Sequence, residues 1–254
     1  MTVAPEEASL KVGERTRIVA LLPGCVGYNV TDLRSSNSDI VKVDGDVQLA
    51  ARVKEQDDKV DELFDKVKEE AVELIRTGSL EAHAALDLGM AAKYFERIGD
   101  HAKNILDSAR ELHEKDLTFS PEAQQELDVL TRAVTDILST ATEAYKANDA
   151  ALAVTVEPLE ETIDQLSEEI RLRHIHRLQQ GVCTIQMGFI LSDLLTNIER
   201  ASDHCSNIAV SVIEELACRP APARHDLICE EVKAGGAFGE DLRRDRKKYH
   251  LPEA

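Results

Sequence analysis

The chain has 254 residues and a formal net charge of −18 at pH 7. Such an acidic surface repels nucleic-acid phosphates and anionic lipid headgroups, which argues against a nucleic-acid-binding protein. The length allows one large or two medium domains, and the abundance of Ala, Leu, Glu, Asp and Lys favours helices.

Targeting and redox signals are few. The N-terminus lacks the basic segment and apolar core of a secretion signal, and no run of about 20 apolar residues predicts a membrane span. The five cysteines are scattered and form no Cys-x-x-Cys pair, which fits free buried thiols in a reducing cytoplasm. We therefore expect a cytoplasmic protein.

Hydrophobic periodicity and capping residues predict helices along most of the chain. After a polar lead-in (1–13), the segment 14–43 predicts a broken or shortened helix, because Pro23 and Gly24 interrupt its pattern. Pro158 is expected to kink one of the later helices. The five later long helices are predicted over 46–77, 80–112, 121–147, 150–180 and 184–217. Two short helices follow in a C-terminal tail, over 224–233 and 240–249.

A ten-residue motif occurs twice. Residues 96–105 read ERIGDHAKNI and residues 199–208 read ERASDHCSNI, with six identities in ten. When the two copies of the motif are aligned, Gly78, an expected helix C-cap, falls at the position equivalent to Gly181. The sequence therefore predicts an all-α protein of two pseudo-symmetric antiparallel three-helix bundles, over 14–115 and 116–218, plus a short helical tail over 219–254.

Each predicted bundle carries two acid-x-x-x-Asp pairs. Residues four apart share a helix face, and the helices that carry the pairs are antiparallel neighbours, so two carboxylate pairs face each other. Such carboxylates repel one another, and a cation among them relieves the repulsion at less cost than protonation. Oxygen ligands suit magnesium, manganese, calcium or iron. The pairs are Asp57 with Asp61, Glu96 with Asp100, Glu160 with Asp164, and Glu199 with Asp203.

Other interpretations of these residues stay open. Acid pairs at this spacing are usually solvated faces partnered by Lys or Arg, and it is their recurrence at equivalent repeat positions that favours a site. Arg97 and Arg200 either hold the carboxylates by salt bridges or bind an anion. His101 and His204 lie about 100° round the helix from the aspartates, so at most they support the ligands indirectly.

Enzyme classes find little support in the motifs. A ferritin-like di-iron oxidase needs Glu-x-x-His on two helices, and no histidine here has a glutamate three positions before it. There is no glycine-rich phosphate loop and no nucleophile elbow. Another metal-dependent enzyme and a metal-free helical adaptor are the two alternatives.

The repeated motif resembles a known signature. FERIGDHAKNI (95–105) and NIERASDHCSNI (197–208) are similar to the paired signature of the PhoU family, over roughly residues 14–217. In the tail, DRKKYHLP (245–252) is similar to the end of the cytosolic PhoU-like domain of bacterial sodium/phosphate cotransporters. The family's first helix runs unbroken, whereas residues 23–40 here contain Pro23 and Gly24, which leaves the packing of the first bundle open.

The resemblance implies a regulator and not a catalyst. It implies a protein that restrains phosphate uptake and phosphate-starvation signalling by contacting a phosphate transporter and a sensor kinase. It would reach the inner face of the cell membrane only through a transporter, and a homodimer is compatible with it.

The resemblance also implies clusters of iron or zinc on the acidic motifs, with manganese and magnesium as further options. Carried over by residue, Glu96, Asp100, Glu199 and Asp203 match the signature. Asp57, Asp61, Glu160 and Asp164 match the partner motif.

Overall fold

The computed structural model describes residues 47–79, 82–216 and 225–253, and within them the chain is helical without strands. The predicted all-α class is confirmed, and apart from one interruption the helix ends lie within two residues of those predicted. The predictions for 1–13 and for 14–43 fall outside these residues. In the described part, no helix combines the length and apolar character needed to cross a bilayer. The helices are α1 (Val47–Arg76), α2 (Ala82–Glu114), α3 (Pro121–Ala147), α4 (Ala150–Ala153), α5 (Val156–Gln179), α6 (Ile185–Leu216), α7 (His225–Ala234) and α8 (Phe238–Lys248).

The two predicted glycine caps end α1 and α5. Gly78 and Gly181 have φ of +71° and +72°, a left-handed conformation that glycine adopts without strain from a Cβ. The residue after each glycine donates a hydrogen bond to the carbonyl five positions back, at 2.9 Å and 3.0 Å respectively. The same capping geometry therefore closes the equivalent helix in both copies of the repeat.

One helix differs from the prediction. The chain turns at Val154 and Thr155, which separate α4 from α5, and Pro158 lies in the first turn of α5. Proline has no N–H to donate to the carbonyl four positions back, and its ring crowds that carbonyl. The expected kink at Pro158 is thus a break about one turn earlier.

The two helices that carry the repeated motif, α2 and α6, pack against each other in antiparallel orientation. His101 Nδ1 lies 3.0 Å from Asn197 Oδ1, and the rings of His204 and Tyr94 stack with centroids 5.8 Å apart. Tyr94 and Asn197 are equivalent in the repeat, so each histidine meets the same position of the opposite helix, as pseudo-two-fold symmetry requires. The two histidine rings stack on each other, 5.4 Å apart, beside that axis.

The hydrophobic core is continuous across both copies of the repeat. Phe95 of α2 packs edge-on against Tyr145 of α3, with ring centroids 5.5 Å apart. Tyr249 and Leu251 of the C-terminal tail are buried in the same core. The tail is therefore an integral part of the packing, although its sequence lies outside the repeat. The fully buried large side chains include Leu130, Ile137, Ile163, Ile170, Ile190, Leu191, Leu195, Ile208 and Val212.

Candidate metal centre

Three carboxylates converge between α5 and α6. Glu160 and Asp164 lie one turn apart on α5, and Asp203 faces them from α6. One oxygen of each lies within 4.8 Å of an oxygen of each of the others. The predicted facing of acid-x-x-x-Asp pairs is thus realised here by three side chains, which we call the second-repeat triad.

Crowding of negative charge shifts the proton affinity of the triad. Desolvation, together with repulsion from Asp164 and two other acids, raises the pKa of Glu160 to about 8. Desolvation, with repulsion from Asp203 and Glu199, raises the pKa of Asp164 to about 6. A glutamate with a pKa near 8 is largely protonated at neutral pH unless a cation takes the place of the proton.

The fourth predicted acid of this bundle, Glu199, is not part of the triad and pairs with an arginine. Its Oε1 accepts a hydrogen bond from Arg171 Nη2 at 2.9 Å. A second cation, Lys233 of α7, lies 3.2 Å from Glu157 and 3.5 Å from Glu161. Both cations therefore contact acids that surround the triad, and their positive charge reduces the negative potential there.

The four predicted acids of the first bundle also lie close together, but a lysine lies among them. Lys103 Nζ is 2.6 Å from Asp57 Oδ2 and 3.7 Å from Asp100 Oδ1. Burial and repulsion from Asp57 and Asp100 raise the pKa of Asp61. Burial and repulsion from Asp100 and Asp61 raise the pKa of Glu96. We call Asp57, Asp61, Glu96 and Asp100 the first-repeat cluster.

A glycine lets the helices of the first bundle approach at this point. A Cβ placed on Gly99 of α2 would lie 3.3 Å from Asp57 Oδ1 and 3.9 Å from Val60 Cγ1. A Cβ contact of 3.3 Å is shorter than ordinary van der Waals separation. The missing side chain thus allows Asp57, which is only 5% exposed, to lie directly against α2.

The cations that contact the acids were not those singled out in the sequence. Lys103 and Arg171 make ion pairs with these acids, whereas the charge of exposed Arg97 only partly offsets the rise in the pKa of Glu96. The position of Lys103, three residues after Asp100, would have indicated it. Arg171 and Lys233 come from distant parts of the chain, and no local pattern points to them.

Comparison with known proteins identifies the family. The PhoU domain model matches residues 38–109 and 127–212, together more than half of the chain. The chain belongs to the PhoU family. One matched segment falls in each copy of the repeat, and together the segments contain all eight acids of the predicted sites.

PhoU relatives share this sequence at moderate identity. The phosphate-specific transport system accessory protein PhoU homolog 1 of Thermotoga maritima is 26% identical over 168 residues, covering 65% of this chain and 72% of the relative. The homolog of Pseudomonas aeruginosa is 25% identical over 174 residues, covering 67% of this chain and 71% of the relative. Both names describe transport accessory proteins.

Solved PhoU structures share the fold. The crystal structure of PhoU from Pseudomonas aeruginosa has a TM-score of 0.71 at 22% identity, covering 84% of this chain and 99% of the other. The crystal structure of the phosphate transport system regulatory protein PhoU from Streptococcus pneumoniae has a TM-score of 0.69 at 16% identity. It covers 85% of this chain and 99% of the other. These likenesses confirm the helical-bundle architecture.

The donor set of the second-repeat triad suits the metals that the PhoU resemblance implies. Metal–oxygen distances to zinc are about 2.0–2.2 Å, so two oxygens on one ion are at most about 4.4 Å apart. The oxygens of Glu160, Asp164 and Asp203 lie within 4.8 Å of one another, so small side-chain movements suffice to bring them to one ion. Carboxylates accept iron, manganese and magnesium as well as zinc.

The pKa of Glu160 predicts how the metal-free protein responds to pH. In the folded chain this pKa is about 8, and in an unfolded chain it is about 4.3. Between these values the folded chain binds more protons, so stability falls as pH rises. From pH 6.5 to pH 8 we expect the free energy of unfolding to fall by about 1 kcal/mol, a value that allows for the partial solvent exposure of the group. This corresponds to a decrease of about 2–4 °C in Tm.

Thermal unfolding in chelator at the two pH values measures this difference. The matched control is Glu160→Gln, which removes the titrating group while keeping its size, and we expect its Tm to change less over the same interval. Equal pH dependence in the two proteins would show that Glu160 titrates normally.

Proposed function

We propose that the protein is an accessory regulator of phosphate transport, which restrains phosphate uptake and starvation signalling through protein contacts and carries metal on its acidic motifs. The observation that carries this proposal is the PhoU match in both copies of the repeat. The relatives that cover 65% and 67% of this chain are named as phosphate-specific transport system accessory proteins. The partners we propose are a phosphate transporter and a sensor kinase.

The metal part of the proposal is supported by the charge and geometry of the second-repeat triad. Three carboxylates from two helices lie within 4.8 Å of one another, and in the absence of a cation two of them have raised pKa values. A divalent ion supplies positive charge that offsets this repulsion and joins α5 to α6. We propose iron or zinc, with manganese and magnesium as further candidates, and a structural role for the ion.

Exposed apolar side chains support a role in protein contacts. Ile185 and Phe189, four residues apart on one face of α6, are 73% and 70% exposed. Val182, in the turn before α6, is also exposed. Large apolar side chains grouped on a surface are typical of protein–protein contact sites. We propose that this end of the α5–α6 hairpin contacts the transporter.

Two kinds of transporter fit the proposal. The tail sequence DRKKYHLP, similar to the end of the PhoU-like domain of sodium/phosphate cotransporters, favours a cotransporter. The names of the relatives favour a phosphate-specific transport system. A transporter-coding segment directly upstream in the gene would support the first kind, and co-purification with an importer subunit would support the second.

Deletion of the gene is expected to raise phosphate uptake and starvation-gene expression in phosphate-rich medium. Radiolabelled phosphate uptake and transcript levels measure the two effects, and the wild-type gene should restore both. The double variant Ile185→Ser, Phe189→Ser should fold, as circular dichroism would check, but should fail to restore normal uptake.

The matched control is Leu172→Ser, which removes an exposed apolar side chain from α5 and should restore uptake fully. If deletion changes neither phosphate uptake nor starvation-gene expression, the regulatory proposal is wrong. If the double variant restores uptake as well as wild type does, the contact surface lies elsewhere.

A further inference from the structure

Exposed apolar side chains recur at equivalent positions of the two copies of the repeat. Leu86 of α2 and Phe189 of α6 are 62% and 70% exposed, and the offset that aligns the repeated motif also aligns them. Val72 of α1 and Ile175 of α5 are aligned in the same way and are also exposed. Large apolar side chains are ordinary on a surface when they are scattered, and they mark contact sites when they are grouped.

Each group lies at the end of a helical hairpin. In the first hairpin Asp57 of α1 lies against Gly99 of α2, and this antiparallel register brings Val72 and Leu86 to about the same height beside the turn. The second hairpin turns in the same way, because both preceding helices end in the same left-handed glycine cap. We call Val72 with Leu86 the first apolar pair, and Ile175 with Phe189 the second apolar pair.

The two pairs lie far apart along the molecule. Leu86 precedes His101 by 15 residues and Phe189 precedes His204 by 15 residues, so each lies about 22 Å from the stacked histidines. Because α2 and α6 are antiparallel, the pairs extend in opposite directions from that contact and are about 45 Å apart. An interface of standard size buries about 800 Å² per partner and is about 30 Å across, so it does not reach from one pair to the other.

Both pairs nevertheless face the same side of the α2–α6 layer. The axis that exchanges two antiparallel helices is perpendicular to the plane that contains them, and rotation about it keeps equivalent side chains on the same side of that plane. Two copies of one partner can therefore approach the protein from one side.

The charge around the pairs favours a basic partner. Basic side chains beside the pairs are engaged with acids of their own helix, as are Lys68 and Arg76 on α1 and Arg171 and Arg173 on α5. The whole chain carries a net charge of −18, so a second copy of it is repelled. A partner that has Lys or Arg around its apolar contact is attracted instead.

We propose that each apolar pair docks one copy of the same partner protein, so that one chain holds two copies, and that the partner surrounds its apolar contact with basic side chains. The second pair binds the partner more tightly, because exposed Val182 and Ile185 extend it, whereas the equivalent residues of the first hairpin are Ser79 and Ala82. This inference rests on the contact surface proposed above for the α5–α6 hairpin, and it adds a second site and a stoichiometry.

Photo-crosslinking in cells grown with abundant phosphate tests the stoichiometry. The full-length protein carries p-benzoylphenylalanine in place of Leu86, of Phe189, or of both, and the adducts are sized and identified by mass spectrometry. The two single positions should capture the same polypeptide. The protein labelled at both positions should give an adduct of one chain with two copies of that polypeptide.

Removal of the first apolar pair should affect one site only. With p-benzoylphenylalanine at Met90, an exposed position one turn after Leu86, the substitutions Val72→Ser and Leu86→Ser should reduce capture by about 10-fold or more. Capture at Phe189 should stay unchanged in the same variant, which would also show that the variant folds. The matched control is Leu172→Ser, which removes an exposed apolar side chain outside the first hairpin and should leave capture at Met90 unchanged.

The remaining outcomes would overturn the inference. They are different polypeptides at the two positions, capture at one position only, capture of a second copy of this chain, one partner crosslinked at both ends of the same chain, and no capture at all. An equal fall of capture at Phe189 in the Val72→Ser, Leu86→Ser variant would show that a single partner spans both pairs.

Failure of the inference is distinguishable from failure of the proposed function. If a protein that is no part of a phosphate transporter is captured in two copies, the inference stands and the proposed transporter contact is wrong. If a transporter subunit is captured at Phe189 alone, the transporter contact stands and the second site is wrong. The regulatory proposal is decided separately by the uptake measurements.

Discussion

A variant that carries Glu160→Gln, Asp164→Asn and Asp203→Asn is expected to lose the metal binding that we propose for the wild-type protein. Three carboxylate oxygens within 4.8 Å of one another form the proposed donor set. The amide substitutions would replace each charged oxygen with a weaker, neutral ligand. Substitution of groups that merely orient metal ligands costs about 10–100-fold in affinity, so loss of all three ligands should exceed that range. Elemental analysis and calorimetric titration with Zn²⁺ measure the loss.

The same variant should be at least as stable as metal-free wild type at pH 8. The substitutions remove the mutual repulsion that raises the pKa of Glu160 and Asp164, while they keep the side-chain volumes. Loss of metal together with retained stability would exclude misfolding as the cause. The matched control is Asp193→Asn, a substitution at an exposed position of α6, the helix that carries Asp203. This variant should bind metal as wild type does. Equal metal in wild type and the triple variant would contradict the site.

Local sequence signals sufficed to predict most of the helices. Gly78 and Gly181 end their helices because a left-handed residue closes the last turn, which depends only on neighbouring residues. Pro158 is a local cause of the break that precedes it. The residue at which the helix is interrupted, however, depends on contacts with other helices. The core position of Val156, which is fully buried, helps to fix where α5 begins, and burial of this kind follows from packing between helices.

The helical periodicity and the repeat together predict part of the acidic site. The four-residue spacing placed Glu160 and Asp164 on one face, and the repeat placed Asp203 opposite them, as the structure has them. The removal of Glu199 from the group was not predictable, because Arg171 lies 28 positions away along the chain. The identity of a charged partner across two helices depends on side-chain reach, which hydrophobic periodicity does not encode.

The histidines show a further limit of sequence analysis. The helical period turns His101 and His204 away from the aspartates, so the sequence predicts at most an indirect role for them. The structure places their stacked rings at the α2–α6 contact, 5.4 Å apart. Burial, with repulsion from His101 and two arginines, lowers the pKa of His204 to about 4, so this ring is neutral at physiological pH. That contact joins the two copies of the repeat, and no pattern within one copy specifies it.

A buried ion pair holds α3 to α5, and its disruption should cost more stability than any other single substitution considered for this protein. Glu126 of α3 is 2% exposed. Its two carboxylate oxygens accept hydrogen bonds from Arg177 Nη1 and Nη2, at 2.9 Å and 2.7 Å. Arg173 Nη1 lies 3.4 Å from the same carboxylate and donates to the carbonyl of Pro252 at 2.6 Å. One glutamate thus connects two core helices and, through Arg173, the C-terminal tail.

Glu126→Ala is expected to lower the free energy of unfolding by about 3–5 kcal/mol, because it leaves the guanidinium of Arg177 buried without its counter-charge. Urea unfolding followed by circular dichroism measures the loss, and Glu143→Ala, an exposed site on the same helix, should change stability by less than about 0.5 kcal/mol. Because the cost comes from the unpaired charge, Glu126→Leu combined with Arg177→Leu should lose much less than Glu126→Ala alone. If the paired substitution is as damaging as the single one, the contribution of Glu126 comes from packing and not from its ion pair.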